Sequence, residues 1–141
     1  MMMEFKVWNR IDGQWNDEEY FLDKECNVHF INGRGRLEAL PVGMYAVEWN
    51  TGFVDKDGTP IFTNDLVELV VDGEVRTFRV VVGAVNRKVK NHYSFANNYS
   101  LVLIKGIMFE WQENEFYLFP CVDENGLPDT CRMKVVGNVH D

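Results

Sequence analysis

Leu66-Val67-Glu68-Leu69-Val70-Val71-Asp72-Gly73-Glu74-Val75-Arg76-Thr77-Phe78-Arg79-Val80-Val81-Val82-Gly83-Ala84-Val85 is the stretch that decides the fold class. Val, Leu and Phe dominate both halves, and no 3.6-residue apolar spacing runs through either. Asp72-Gly73 between them suits a two-residue hairpin, because both central residues of such a turn need positive φ. Leu66 to Val71 and Glu74 to Val85 therefore read as two antiparallel strands.

Working outward toward the C-terminus, Leu101 to Trp111, Phe116 to Val122 and Arg132 to Val139 read as further strands. They are separated by a long loop, by Gln112-Glu113-Asn114 and by a loop around Asn125-Gly126. Several strands joined mostly by tight turns suggest a small barrel. Gly83 and Gly106 fall inside strand patterns, which predicts a bulge or sharp bend at each.

Toward the N-terminus, Glu4 to Arg10 alternates Phe5 and Val7 with Lys6 and Trp8, and then meets Asp12-Gly13, a second two-residue hairpin signal. Trp15 opens the return strand. Asp17 to Glu25 fits a short helix, with acid just after a possible cap at Asn16, and Tyr20-Phe21-Leu22 fits a strand equally well. Asn32-Gly33-Arg34-Gly35 is a loop. After Pro41-Val42-Gly43, the segment Met44 to Trp49 alternates again, with Tyr45, Val47 and Trp49 on one face. The expectation is a single all-β domain over residues 1–141, with an N-terminal hairpin region (about 1–50) packed on a barrel region (about 51–141).

A chain of 141 residues can bury roughly two-thirds of its unfolded surface, enough for a core without metals or disulfides. Its 46% apolar and 13% aromatic content is that of a folded protein. No stretch approaches the roughly 18 consecutive apolar residues of a membrane helix, and Met1 to Trp8 lacks the pattern of a secretory signal. Cys26, Cys121 and Cys131 are odd in number and form no C-x-x-C pair, which favours reduced thiols and a cytoplasmic location. The net charge of -8 disfavours non-specific nucleic-acid binding.

The string Trp49-Asn50-Thr51-Gly52-Phe53-Val54-Asp55-Lys56-Asp57-Gly58-Thr59-Pro60-Ile61-Phe62-Thr63-Asn64-Asp65-Leu66-Val67 resembles the YopX family of bacteriophage and prophage proteins. That family carries a Thr-Gly-x-x-Asp-x-x-Gly turn, an Ile-aromatic pair and Gly-Asp-(Ile/Val)-Val. Glu4 to Asn9 is similar to its N-terminal strand, and Val135-Val136-Gly137-Asn138-Val139 to its closing Val-Ile-Gly-Asn-Ile. The resemblance implies an SH3-like barrel in the C-terminal part and a phage or prophage origin, and it implies no activity. Asn64 stands where the family has Gly, so positive φ is expected there, with Asn64→Gly neutral or stabilising. Gly52, Asp57, Gly58, Asn64 and Asp65 read as structural turn residues.

No constellation reads as an active site. Asp55-Lys56-Asp57-Gly58 and Asp123-Glu124-Asn125-Gly126 lack the ligand spacing of a calcium loop. Cys121 and Cys131 flank Gly126 and could face each other across a hairpin, and with His29 and His140 they could reach a metal, but no paired spacing supports zinc. The three histidines, His29, His92 and His140, belong to no triad motif, and Gly33-Arg34-Gly35 is no nucleotide loop. Neither a cofactor nor a metal is expected. The densest basic spot is Arg87-Lys88-Val89-Lys90, which runs into a segment holding Tyr93, Phe95 and Tyr99. Read as a loop, it is a partner-binding candidate through Arg87, Lys88, Lys90, Tyr93, Phe95 and Tyr99.

These features point to a non-enzymatic protein-binding module of a phage or prophage, acting in the bacterial cytoplasm and not at a membrane. A second copy of the chain is a possible partner. A nucleic-acid-binding module using the Arg87 to Lys90 patch is the alternative, and an enzyme with an acidic cleft is the third class.

Overall fold

A computed structural model describes residues 4–16, 18–41, 43–90, 99–111, 116–118 and 123–141. Twelve strands are present among these residues: β1 (Phe5–Asn9), β2 (Gln14–Asn16), β3 (Tyr20–Leu22), β4 (Val28–Ile31), β5 (Leu37–Ala39), β6 (Tyr45–Val54), β7 (Pro60–Phe62), β8 (Asp65–Val71), β9 (Glu74–Lys90), β10 (Tyr99–Trp111), β11 (Phe116–Leu118) and β12 (Lys134–Asn138). The described residues contain no α-helix, only a single 3-10 turn at Asp129–Arg132. The strands form antiparallel sheets in the orders β2-β1-β6-β7, β11-β10-β9-β8-β12 and β3-β4-β5, curled into the half-barrels of a small all-β fold.

Asp72 and Gly73 both take positive φ, 51° and 80°, and join Val71 to Glu74 in register, as the Asp-Gly pair predicts. At Asp12-Gly13 the expectation fails in detail. Only Gly13 is left-handed, and Asn9 pairs with Gln14, so four residues close the hairpin. The Asn9 side chain accepts from the amides of Ile11 and Asp12, and that local bond favours the longer loop. The segment from Asp17 to Glu25 is not a helix where it is described: Tyr20, Phe21 and Leu22 pair with Phe30, His29 and Val28.

Four connections use one five-residue turn. Asp23, Asn32, Asp55 and Asp123 each accept, through side-chain Oδ1, the amides two and four residues ahead. The fourth residue of each is left-handed: Cys26 (63°), Gly35 (73°), Gly58 (81°) and Gly126 (80°). Two of these are the Asp-headed strings with a superficial likeness to calcium loops. Their leading carboxylates cap backbone amides, the usual work of Asp and Asn in turns.

The core gathers Ile61, Val67, Leu69, Phe78, Val80, Phe109 and Met133, each contributing roughly 2 kcal/mol by leaving water. β8 shows why: Asp65, Val67 and Leu69 point inward and alternate with Leu66, Glu68 and Val70. β6 runs across position 50, pairing with β1 on one side of it and β7 on the other, so the N-terminal and barrel regions share a strand. Gly83 and Gly106 pair directly with each other in an unbroken register, so neither marks a bulge. A Cβ on Gly83 would lie 2.8 Å from Met108 Sδ, whereas one on Gly106 would meet open space.

Candidate functional site

Two places concentrate polar chemistry or exposed surface, and they differ in kind. The first is a junction between the N-terminal sheet, the β7–β8 turn and the C-terminus. Alternation along β1 and β6 places Lys6, Trp8, Ala46 and Glu48 on one face, and Glu48 is only 3% exposed. Thr63 Oγ1 donates to Glu48 Oε2 at 2.5 Å, Asn64 Nδ2 donates to both carboxylate oxygens at 2.9 and 3.0 Å, and His140 Nε2 lies 2.7 Å from Oε1. Arg79 Nε donates to Asn64 Oδ1 at 2.9 Å.

Beside it, Asp65 is 2% exposed and accepts from Asn138 Nδ2 at 2.9 Å and from the Phe62 amide at 2.7 Å. Burial pushes its pKa above the ordinary carboxylate value, while the Asn138 and Phe62 hydrogen bonds and the Lys6 charge oppose the rise. Lys6 Nζ sits 3.9 Å from Asp65 Oδ1 and over the rings of Trp15 and Phe62 at 4.0 and 4.5 Å. His140 stacks on Trp8 at 5.7 Å. Each carboxylate already carries the donors it needs, and the aromatic rings cover the group. The arrangement is suited to holding three chain segments together, not to accepting a substrate proton.

Elsewhere, a cavity of about 170 Å³ is lined by Lys56, Glu68, Leu69, Val70, Val75, Arg132 and Lys134. A cavity of about 140 Å³ is lined by Cys26, Asn27, Val28, Leu40, Pro41, Gly43, Tyr45 and Val47, without a carboxylate or histidine. No group of three or more His, Cys, Asp or Glu side chains is placed to hold a metal among the described residues. His29 Nε2 lies 3.0 Å from Asp23 Oδ2. That contact, with the Asn27 and Glu25 amides, lowers the Asp23 pKa to about 2. Cys26 is exposed and Cys131 half-buried, while Cys121 lies outside the described residues.

The second place is the distal half of the β9–β10 hairpin. Among the described residues, pairing of β8 with β9 runs as far as Leu66 and Arg79, and pairing of β10 with β11 as far as Phe109 and Leu118. The β9–β10 register nevertheless continues beyond both, and its last nine pairs run from Val82–Ile107 to Lys90–Tyr99. This is a two-stranded ribbon about 27 Å long at roughly 3.3 Å per residue, and no third strand joins either edge among the described residues. Val82, Leu101, Leu103 and Tyr99 share one face by register and are 68%, 72%, 58% and 54% exposed. Lys88 and Lys105 stand among them on the same face, with Lys88 Nζ 4.6 Å over the Tyr99 ring.

The partner-binding candidates fall here in a form the sequence does not suggest. Arg87, Lys88 and Lys90 lie on β9, and Tyr99 opens β10, so much of the supposed loop is strand. Cross-strand pairing carries the ladder through a polar run of low apparent β character. Tyr93 and Phe95 lie outside the described residues. Of the turn candidates, Asp57 and Gly58 sit within the Asp55-headed turn, Asn64 precedes β8 with a φ of 62° and Asp65 opens that strand, whereas Gly52 lies inside β6 with a φ of 85°, where the β6–β7 register shifts.

Sequence reasoning missed Glu48, Leu101, Leu103 and Val82. For Glu48, a lone acid between Val47 and Trp49 in a period-two run was the available signal. For the ribbon it was charge: six of the 14 basic and none of the 22 acidic residues fall between Val75 and Phe109, a charge of +6 against -14 for the rest. A comparison with protein-family models finds no match to this chain, and none is found among curated proteins.

Proposed function

We propose that this is a non-enzymatic accessory protein that works by binding another protein, with the β9–β10 ribbon as its binding element. One observation carries the reading: a ribbon whose edges no third strand joins among the described residues presents four large apolar side chains to solvent beside two lysines. An isolated two-stranded ribbon is marginal in water, and a contiguous exposed apolar face is what partner surfaces look like. The filled junction around Glu48 supports a structural role there and argues against the acidic-cleft enzyme.

The resemblance to the YopX family supports a place in phage or prophage biology, and hence the cytoplasm of a bacterial host. No helix among the described residues is long and apolar enough to cross a membrane.

The test compares wild type with Leu101→Ser/Leu103→Ser in affinity capture from host lysate, alongside thermal unfolding. Loss of the captured protein at unchanged Tm is expected. Unchanged capture, or an unfolded variant, would overturn the reading. The acid-free run from Val75 to Phe109 favours a second reading, duplex nucleic acid, because a two-stranded ribbon fits the major groove. It predicts oligonucleotide affinity that falls steeply with salt.

A further inference from the structure

We infer that the ribbon's partner is a second copy of this chain, and that it docks on the outer face of the β3-β4-β5 sheet. The inference rests on the protein-binding reading above. Register puts Phe21, His29, Ile31, Leu37 and Ala39 on one face of that sheet, while Val28 on the opposite face is buried. Phe21, Ile31 and Leu37 are exposed large apolar side chains on the first face, and no strand of the chain covers them among the described residues. One polypeptide therefore carries two uncovered apolar sheet faces, one on the ribbon and one here.

Their charges are opposite. The ribbon strands hold Arg87, Lys88, Lys90 and Lys105 and no acid, while Glu18, Glu19, Asp23 and Glu25 outnumber Lys24 along β3 and the turn after it; Arg34 and Arg36 sit at the β4–β5 end of that sheet and Glu38 on its opposite face. Two ribbons would repel each other, whereas ribbon on sheet brings Lys88 and Lys105 toward an acidic rim. Flat β faces stack about 10 Å apart with interdigitating side chains, which is the contact these two surfaces can make. One such contact is small. A two-fold arrangement makes it twice, each copy giving its ribbon and receiving the other's, and it closes without building a fibre.

Sedimentation equilibrium on the full chain tests this. The expected result is a dimer that weakens several-fold as salt rises. Leu101→Ser/Leu103→Ser on the ribbon, and separately Ile31→Ser/Leu37→Ser on the sheet, should each give folded monomers or much weaker dimers. Mixing the two variants restores one intact ribbon–sheet contact and should give a heterodimer that neither forms alone. Lys88→Glu/Lys105→Glu serves as a second ribbon variant should the Ser pair unfold.

Three results would overturn the inference: a monomeric wild type at the highest soluble concentration, a sheet variant that still dimerises as wild type does, or failure of the two variants to complement. A monomer whose ribbon variant nonetheless loses another captured protein sinks the inference and leaves the protein-binding reading standing. A ribbon variant that behaves as wild type in both assays sinks both.

Discussion

The junction around Glu48 and the distal β9–β10 ribbon are opposite solutions to the same problem of placing polar and apolar groups. At the junction, charged and amide side chains are buried and each finds its donors or acceptors within about 3 Å. On the ribbon, Leu101, Leu103 and Val82 are largely exposed, and no strand covers them among the described residues. A fold with apolar residues to spare would be expected to bury them, so the molecule sets an exposed apolar face apart from a hydrogen-bonded polar junction. The three segments joined at Glu48 come from β6, from the β7–β8 turn and from the C-terminus, which explains why an acid is tolerated there: its bonds replace contacts no single strand could make.

Unequal mutational costs are the first consequence. Glu48→Ala leaves Thr63, Asn64 and His140 without their shared acceptor in a buried site, and should cost about 3 kcal/mol or more, a Tm loss on the order of 10 °C. Leu101→Ser/Leu103→Ser should cost under about 0.5 kcal/mol per site, as surface changes do. Thermal unfolding of both variants checks this, and equal costs would erase the distinction between the regions.

Asn64 sharpens the point. From sequence its expected role is conformational, and its φ of 62° agrees. The side chain also bridges Glu48 to Arg79, so Asn64→Gly keeps the backbone but should lose about 1 to 2 kcal/mol, and Asn64→Val should lose more. Denaturant titration that found the Gly variant as stable as wild type would show the bridge to be energetically silent.

These residues also mark how far the sequence could be read. Asp72-Gly73 was legible because two consecutive left-handed residues make a chemical demand that few dipeptides meet. Glu48 was not, because its partners lie 15, 16 and 92 positions away, and no local pattern encodes contacts of that range. The ribbon was half legible. Its basic and aromatic character stood in the sequence, but pairing turned Arg87 to Lys90 from loop into strand, and only the register shows that Leu101, Leu103 and Val82 share one uncovered face. The turns headed by Asn32, Asp55 and Asp123 were legible as turns, the one headed by Asp23 fell in a segment that read as helix or strand, and the shared hydrogen-bond pattern of all four shows only in the structure.

Smaller effects separate the two glycines paired at the base of the ribbon. Gly83→Ala pushes a Cβ against buried Met108 and should cost about 1 kcal/mol. Gly106→Ala, directly opposite, meets nothing and should cost no more than a few tenths. Away from both regions, Cys26 occupies the left-handed position that Gly fills in the three sister turns, so Cys26→Gly should raise stability by up to about 1 kcal/mol. Chemical denaturation distinguishes all three.

The smallest effect lies at the head of that turn. Asp23 has its pKa lowered to about 2 by His29 and the turn amides. Its contribution is present above the unfolded carboxylate value near 4 and is lost as pH falls toward 2. Asp23→Asn should therefore flatten the acid limb of the stability curve, and an unchanged limb would place the acid sensitivity elsewhere.

Residue-resolved native-state hydrogen exchange on dilute, monomeric protein, repeated with partner present, is the most direct test that the ribbon is a binding element and not part of the core. The account predicts that the outward-facing amides of Val81 to Lys90 and Tyr99 to Met108 exchange rapidly when the ribbon is free and slow markedly on association. The amides of Thr63, Asn64 and Val135 should exchange only through global unfolding in both samples. Ribbon amides as protected as those of the junction in the free, dilute chain would contradict it.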